Sequence, residues 1–214
     1  MRTLHIAAIA VSGLFLFTAT CAKALAATDC GEPVPAPKYQ VGDKWISRNE
    51  RGVESMREVV GLEGDLAKVK WANPTAEPDK DGIVFIDPEG VIRKAIRPNG
   101  EVVTKQGRGR PFDLIGQKEL DFPLHVGKRW DFDYMSGSGD LGKRYYSVVA
   151  CEEVSTPAGK FPALRIETEI RLPRWKGTYH FWYASAVKAG IKWKFPGGFG
   201  RTALDSELVR YELK

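Results

Sequence analysis

The sequence has few residues of the kinds that carry chemistry. Among its 214 residues there are only three cysteines and three histidines. A zinc site needs three or four suitably spaced ligands, and no Cys/His cluster has that spacing. There is no G-x-S-x-G nucleophile motif, no phosphate-binding loop and no Rossmann glycine fingerprint. We therefore predict no metal site, no cofactor and no catalytic residues of these classes.

Long hydrophobic runs are also missing. The longest, Ile6–Phe17, has 12 residues, whereas a transmembrane helix needs about 20. This run follows Arg2 and precedes a small-x-small site at Ala24–Ala26, an order typical of a secretory signal peptide over residues 1–26. We expect a periplasmic or secreted protein that does not span the membrane. The alternative is a lipoprotein signal, in which Cys21 would carry a lipid anchor.

The charge excess is small. Lys and Arg number 32 and Asp and Glu 27, a formal net charge of +5, which falls to +3 when Arg2 and Lys23 leave with the signal. Nucleic-acid-binding domains are far more basic, so we predict no nucleic-acid partner. A weakly positive exported protein suits an anionic envelope polymer or membrane surface.

Signal removal leaves two cysteines, Cys30 and Cys151. In an oxidising compartment an isolated pair favours a disulfide, and the alternative is two reduced thiols. The bridge would close a loop of about 120 residues. For a loop of this length the chain-entropy model gives a stabilisation of the folded state of about 4 to 5 kcal/mol.

Apolar and polar residues alternate with period two along most of the chain. The pattern is clear in "WDFDY" from Trp130, "ALRIETEIRL" from Ala163 and "GIKWKF" from Gly190. Each segment is typical of a strand buried on one side in an antiparallel sheet. Outside the signal, no segment of twelve residues has a helical period. The sequence therefore predicts an all-β fold.

One short motif occurs twice. Val-Gly-x-x-Trp stands at Val41–Trp45 and again at Val126–Trp130, and similar apparent strands follow each copy. We interpret this as two related β-meanders packed as a sandwich or half-barrel, with chance recurrence of a strand-entry signal as the alternative. The predicted organisation is a signal peptide, a Pro-rich tail, a first meander, a linker and a second meander, at residues 1–26, 27–38, 39–104, 105–121 and 122–214.

Aromatic and basic residues are interleaved in "RWKGTYHFWY" and "IKWKFPGGFGR". Aromatic rings beside cations suit sugars, lipid headgroups and acidic polymers, although core packing is the alternative, above all for Trp182 and Trp193. The predicted ligand-binding residues are Trp175, Trp182, Trp193, Phe199, Arg174 and Lys176.

The acidic pairs Asp131/Asp133 and Glu167/Glu169 suggest a second function, a hydrolase that acts on envelope polymers through two carboxylates. Their two-residue spacing favours a solvated charged ladder instead. Our first hypothesis is a non-enzymatic module that binds a hydrophobic, lipidic or polymeric ligand or a partner protein. A purely structural assembly factor is a third alternative.

The C-terminal half resembles the TapB-like group of exported bacterial β-proteins. The resemblance is carried by "FPLHVGKRW", "TPAGKFPALRIE", "FWYA" and "ELVRYEL", from Phe122, Thr156, Phe181 and Glu207, over about ninety residues. It departs after Ala184, where "SAVKAGIKW" replaces the expected proline-glycine turn. The resemblance implies an exported half-barrel-like β-domain and no established catalytic residues.

Overall fold

The computed structural model describes residues 30–72, 82–106, 114–136, 139–197 and 204–214. Within these ranges the chain forms antiparallel strands, and no helix there is long and apolar enough to cross a membrane. The strands are β1 Lys44–Asn49, β2 Glu54–Glu63, β3 Leu66–Ala72, β4 Gly82–Ile86, β5 Ile92–Ile96, β6 Val102–Val103, β7 Arg129–Met135, β8 Leu141–Thr156, β9 Gly159–Leu172, β10 Trp175–Ala184, β11 Ala189–Phe195 and β12 Leu204–Glu212.

All twelve strands belong to one open sheet. Its order is β6-β5-β4-β3-β2-β1-β12-β11-β10-β9-β8-β7, so each half is a meander and the two halves meet where β1 pairs antiparallel with β12. The predicted all-β class with two antiparallel meanders is confirmed. The two meanders are joined edge to edge through backbone hydrogen bonds.

The alternating patterns form strands because each gives one apolar face to a shared core. In β7, Phe132 and Tyr134 are buried while Asp131 and Asp133 are exposed. The same core takes Val59 from the first meander and Ile166 from the second, and both are completely buried. We call the face that carries these two residues the inner face of the sheet.

Both copies of the repeated motif form the same turn. Gly42 and Gly127 have φ of 95° and 92°, a conformation that glycine adopts without strain. Gly42 N donates to Val59 O and Gly127 N donates to Val148 O, each at 2.8 Å. The turn at each glycine therefore places the strand that follows it for pairing: β1 pairs with β2, and β7 pairs with β8.

The irregularities of the two meanders also correspond. The β2–β3 pairing shifts register between Val59 and Gly61, and the β8–β9 pairing shifts between Val148 and Ala150. A second bulge lies in the same relative place in each half, in the pairing of β4 with β5 and of β10 with β11. This correspondence is what a duplicated unit would produce. The domain bounds stay a prediction, since both meanders share one sheet and one core.

The long β8–β9 hairpin curls the second half back on itself. At its tip, Ala158 N donates to Leu208 O of β12 at 3.3 Å. Phe161 packs edge-on against Tyr211, with ring centroids 5.9 Å apart. The hairpin therefore gives this half the half-barrel shape.

The N-terminal tail and the segment between the meanders close the core. Cys30 and Cys151 form the predicted disulfide, with Cα atoms 5.9 Å apart. Further along the tail, Val34 and Leu124 exchange backbone hydrogen bonds of 2.7 and 2.8 Å, and both side chains are buried. Ile115, inside the segment predicted as a linker, is buried and bridges to β5. The described part of that segment therefore contributes Leu114 and Ile115 to the core, while Gly116 and Lys118 stay exposed.

The segment that departs from the TapB-like pattern still makes a tight connection. A short 3-10 helix, Ser185–Val187, follows β10, and Lys188 adopts a left-handed φ of 56°. The next strand, β11, begins at Ala189 and pairs with β10. The missing proline-glycine turn is replaced by one helical turn.

Candidate functional site

The predicted ligand-binding tryptophans are divided between the two faces of the sheet. Trp182 lies opposite Arg165 and Lys192 in the strand pairing, on the face away from Phe181. It is 8% exposed, and its Nε1–H donates to Glu152 Oε1 at 2.6 Å. Trp182 is therefore packed and hydrogen-bonded, and it does not share a surface with the other tryptophans of its region. Phe199 lies outside the described residues.

Trp175 and Trp193 lie on the inner face, where each covers a glycine. A Cβ atom at Gly177 would stand 2.2 Å from the Trp175 ring, and one at Gly190 would stand 2.6 Å from the Trp193 ring. Both indoles pack against the core and are only half-buried. The missing side chains of the glycines make room for the rings to approach the backbone closely.

Two more rings continue this surface. Tyr179 lies on the same face of β10 as Trp175, and its ring centroid is 6.3 Å from that of Phe195 in β11. Both are half-buried. We call these four side chains the aromatic strip: Trp175, Tyr179, Trp193 and Phe195. The sequence analysis did not select Tyr179 and Phe195, although period-two counting from Trp175 and Trp193 would have found them.

The predicted basic residues point elsewhere. Arg174 is exposed in the turn before β10, and Lys176 alternates with Trp175 to the opposite face. There Lys176 Nζ lies 2.8 Å from a Glu169 carboxylate oxygen. Lys176 is thus part of a charged ladder on the outer face, and the structure does not bring it together with the aromatic strip.

The acidic pairs occupy this outer ladder. A carboxylate oxygen of Asp131 lies 2.8 Å from Lys143 Nζ. The Glu169 carboxylate accepts hydrogen bonds from Lys176 and Arg171. Two hydrogen bonds lower the pKa of Glu169: the one from Lys176 has the larger effect, and the one from Arg171 the smaller. A general acid needs a raised pKa, so this carboxylate has the opposite character. No cluster of metal-binding side chains occurs among the described residues.

A second group of polar and aromatic side chains lies on the inner face of β1 to β3. Trp45, Arg57 and Trp71 are neighbours in the strand pairing. The Arg57 guanidinium carbon lies 5.5 Å from the Trp45 ring centroid and 6.0 Å from that of Trp71. Arg57 is therefore held between two indole faces, which favour a cation.

The two halves of the sheet meet beside this arginine. Trp45 Nε1 donates to Val187 O at 2.6 Å, across the junction. Asp43, which is 0% exposed, accepts from Lys188 Nζ at 2.8 Å and from the backbone N–H of Lys214 at 2.9 Å. Burial alone would raise the pKa of Asp43, but these hydrogen bonds hold it below its ordinary value.

A cavity of about 30 Å³ opens among these residues, with room for about two water-sized groups. The Trp71 Nε1 atom is buried and makes no hydrogen bond with the described part of the chain. Burial raises the pKa of Tyr39, so its hydroxyl stays protonated near neutral pH. We call this group the Arg57 site; its lining includes Tyr39, Trp45, Arg57, Val69, Trp71, Ile86, Lys188 and Ala189.

Sequence reasoning missed the Arg57 site because its members are scattered. They come from the segment before β1, from the four strands β1 to β4, from the turn before β11 and from the first residue of β11, and no short motif joins them. In "REVV", Arg57 and Val59 are two residues apart and therefore share one face of a strand. An arginine on the apolar face was the available signal. The partners of Arg57 are fixed only by the strand register and by the meeting of β1 with β12.

The geometry defines a class of protein, namely an all-β protein with one curled, open antiparallel sheet and partly exposed aromatic rings on its inner face. No family model matches the chain. No curated protein matches it either. The resemblance to the TapB-like group therefore stays a prediction.

Three solved structures resemble the chain at low sequence identity. A candidate lipoprotein from Parabacteroides distasonis is 13% identical with a TM-score of 0.42, covering 85% of this chain and 100% of that one. YmcC, a hypothetical lipoprotein from Escherichia coli, is 15% identical with a TM-score of 0.42, covering 78% and 83%. A candidate exported protein with a YmcC-like fold from Bacteroides fragilis is 14% identical with a TM-score of 0.41, covering 85% and 100%. Scores of this size support no conclusion about activity, ligands or location.

Proposed function

We propose that this chain is an exported envelope protein that binds an apolar or amphiphilic ligand on its aromatic strip and catalyses no reaction on it. Export rests on the signal pattern of residues 1–26. The disulfide between Cys30 and Cys151 fits an oxidising compartment such as the periplasm.

The observation that supports ligand binding is the incomplete burial of the strip. Phe181, between Tyr179 and Trp193 on the same face, is fully packed, whereas those two rings keep part of their surface in water. A face that is core at one end and exposes aromatic rings at the other offers apolar contact area that a ligand can cover. The Trp175 and Trp193 rings are packed closely over glycines, so little side-chain entropy of these two residues is lost on binding.

A neutral apolar fluorophore, N-phenyl-1-naphthylamine, serves as the probe. Titration into the purified mature protein should give saturable fluorescence, and Trp175→Ala or Trp193→Ala should weaken binding by about tenfold, the equivalent of about 1.4 kcal/mol. Tyr145→Ala is the matched control, because Tyr145 is a half-buried ring on the outer ladder under Arg171. If the wild type and the three variants bound the probe with equal affinity, the aromatic strip would not be the binding surface.

Native purification decides between a small ligand and a partner. Mass spectrometry of the protein isolated from the periplasm should find an apolar or amphiphilic molecule that is depleted in Trp193→Ala. One stoichiometric protein with no small molecule would instead support the assembly-factor alternative. Intact mass of the same sample tests processing: cleavage after residue 26 supports soluble export, and a diacylated Cys21 supports an anchor.

A further inference from the structure

Uncharged polar side chains continue the inner face beyond the aromatic strip. Trp193 lies opposite Ser206 of β12, and Ser206 lies opposite Asn49 of β1. Ser47, two residues before Asn49, lies opposite Ser55 of β2. Directly opposed residues of an antiparallel pair point to the same side with Cβ atoms about 4.5 to 5.5 Å apart, so all of these side chains share the inner face. We call Ser47, Asn49, Ser55 and Ser206 the polar row.

The polar row keeps hydrogen-bonding capacity that the fold does not use. The hydroxyls of its three serines make no hydrogen bond with the described part of the chain. Asn49 Oδ1 accepts from two backbone N–H groups of the turn that follows, at 3.0 and 2.9 Å, which leaves the amide hydrogens of Asn49 as donors. Ser47 is only 7% exposed, whereas Ser55 is exposed and Asn49 and Ser206 are half-buried. Ser55, Asn49 and Ser206 are therefore the groups that a ligand can reach.

Within the described strands, the charged side chains beside the polar row point the other way. Lys192 of β11, Glu207 of β12 and Arg48 of β1 are opposed to one another on the outer face. Along β2, the first charged side chain on the inner face is Arg57, and it is held between two indoles. A surface of aromatic rings and uncharged donors and acceptors has the complement of a neutral ligand rich in hydroxyl groups.

We propose that the aromatic strip and the polar row together bind a neutral saccharide. The face of an aromatic ring carries partial negative charge, and the C–H groups on one side of a sugar ring are apolar and weakly positive. The sugar ring stacks on Trp193, and its hydroxyls bond with Ser206, Asn49 and Ser55. This assignment rests on the proposed function, since it uses Trp193 of the same strip, and it adds the chemical class of the polar part of the ligand.

The saccharide has two sources, a free glycan or the headgroup of a glycolipid. The probes are the methyl glycosides of glucose, galactose and N-acetylglucosamine, and octyl glucoside below its critical micelle concentration. Methyl and octyl glucoside carry the same sugar without and with an apolar chain. Tighter binding of octyl glucoside indicates a glycolipid, and equal binding of the two indicates a free glycan.

The readout is the indole N–H signal of Trp193 in a proton–nitrogen correlation spectrum, assigned with Trp193→Phe. We expect one or more of the methyl glycosides to shift this signal in the wild type with saturation. Ser206→Ala should weaken that binding by about fivefold, as for the loss of one neutral hydrogen bond. Ser147→Ala is the matched control, because Ser147 is a half-buried strand serine opposite Glu167 on the outer face, and it should leave the titration unchanged.

The inference is wrong if no glycoside moves the Trp193 signal, or if folded Ser206→Ala binds the glycoside as the wild type does. If Ser206→Ala does not fold, Ser55→Ala at an exposed position replaces it, and unchanged affinity there overturns the inference. Its failure is separate from that of the proposed function: a wild type that binds N-phenyl-1-naphthylamine on the strip and no glycoside retains the apolar site and loses the saccharide.

Discussion

Asp43 offers the sharpest test of how the two halves are joined. Its buried carboxylate accepts from Lys188 Nζ at 2.8 Å and from the backbone N–H groups of Gln40 and Lys214 at 2.9 Å each. One side chain therefore connects the first turn, the start of β11 and the end of β12. Asp43→Asn keeps the shape, removes the charge and replaces one acceptor by a donor.

The expected loss of stability is about 3 kcal/mol. Removing one partner of a buried ion pair costs about 3 to 5 kcal/mol. The Lys188 side chain keeps 20% of its surface exposed and can turn to water, which places the estimate at the lower end of that range. Asp121→Asn is the matched control: Asp121 pairs with Lys128 at 2.9 Å and is 27% exposed, so about 1 kcal/mol or less is expected.

Urea unfolding at pH 7, followed by tryptophan fluorescence with the disulfide intact, measures both variants. The folded pKa of Asp43 is lowered, so its contribution is complete above the unfolded pKa of about 4 and is lost as pH falls through the folded pKa. The gap between wild type and Asp43→Asn should be constant above about pH 5 and should narrow in more acidic buffer. A variant within about 1 kcal/mol of wild type at pH 7 would refute the role given to Asp43.

Two further predictions concern the tail and the strip. Replacing Cys30 and Cys151 by serine should lower the unfolding free energy by about 4 kcal/mol, because the bridge closes a long loop; equal urea midpoints for the oxidised wild type and the double variant would contradict this. Gly190→Ala should cost about 1 to 3 kcal/mol by thermal unfolding, since its Cβ would stand 2.6 Å from Trp193. Gly61→Ala, where the nearest atom is 3.9 Å away, should cost less than half as much, and equal costs would count against the packing argument.

Much of the fold followed from local pattern. Period-two alternation assigned the faces of β7 and β9 because each strand buries one side only, and the faces agree with burial at Phe132 and Ile166. The Val-Gly-x-x-Trp motif marked both strand entries because the left-handed turn at Gly42 and Gly127 favours glycine.

The rest depends on contacts between distant parts of the chain. Nothing local specifies that Trp45 pairs opposite Tyr211, which is what makes one sheet out of two meanders. The bulges inside β8 and β11 change the side to which later residues of those strands point, so alternation alone could not place Gly190 on the same face as Trp193. The Arg57 site depends on both kinds of information, and of its members the sequence analysis singled out only Trp45, through the repeated motif.

The pairing of β12 between β11 and β1 makes the two meanders dependent on one segment. A chain without residues 204–212 would have two smaller sheets, with β1 and β11 as new unpaired edges. Such edges recruit strands from other molecules. Proteolytic removal of this strand should therefore make the protein aggregate, and an added peptide with the sequence of β12 should restore solubility by pairing with both edges.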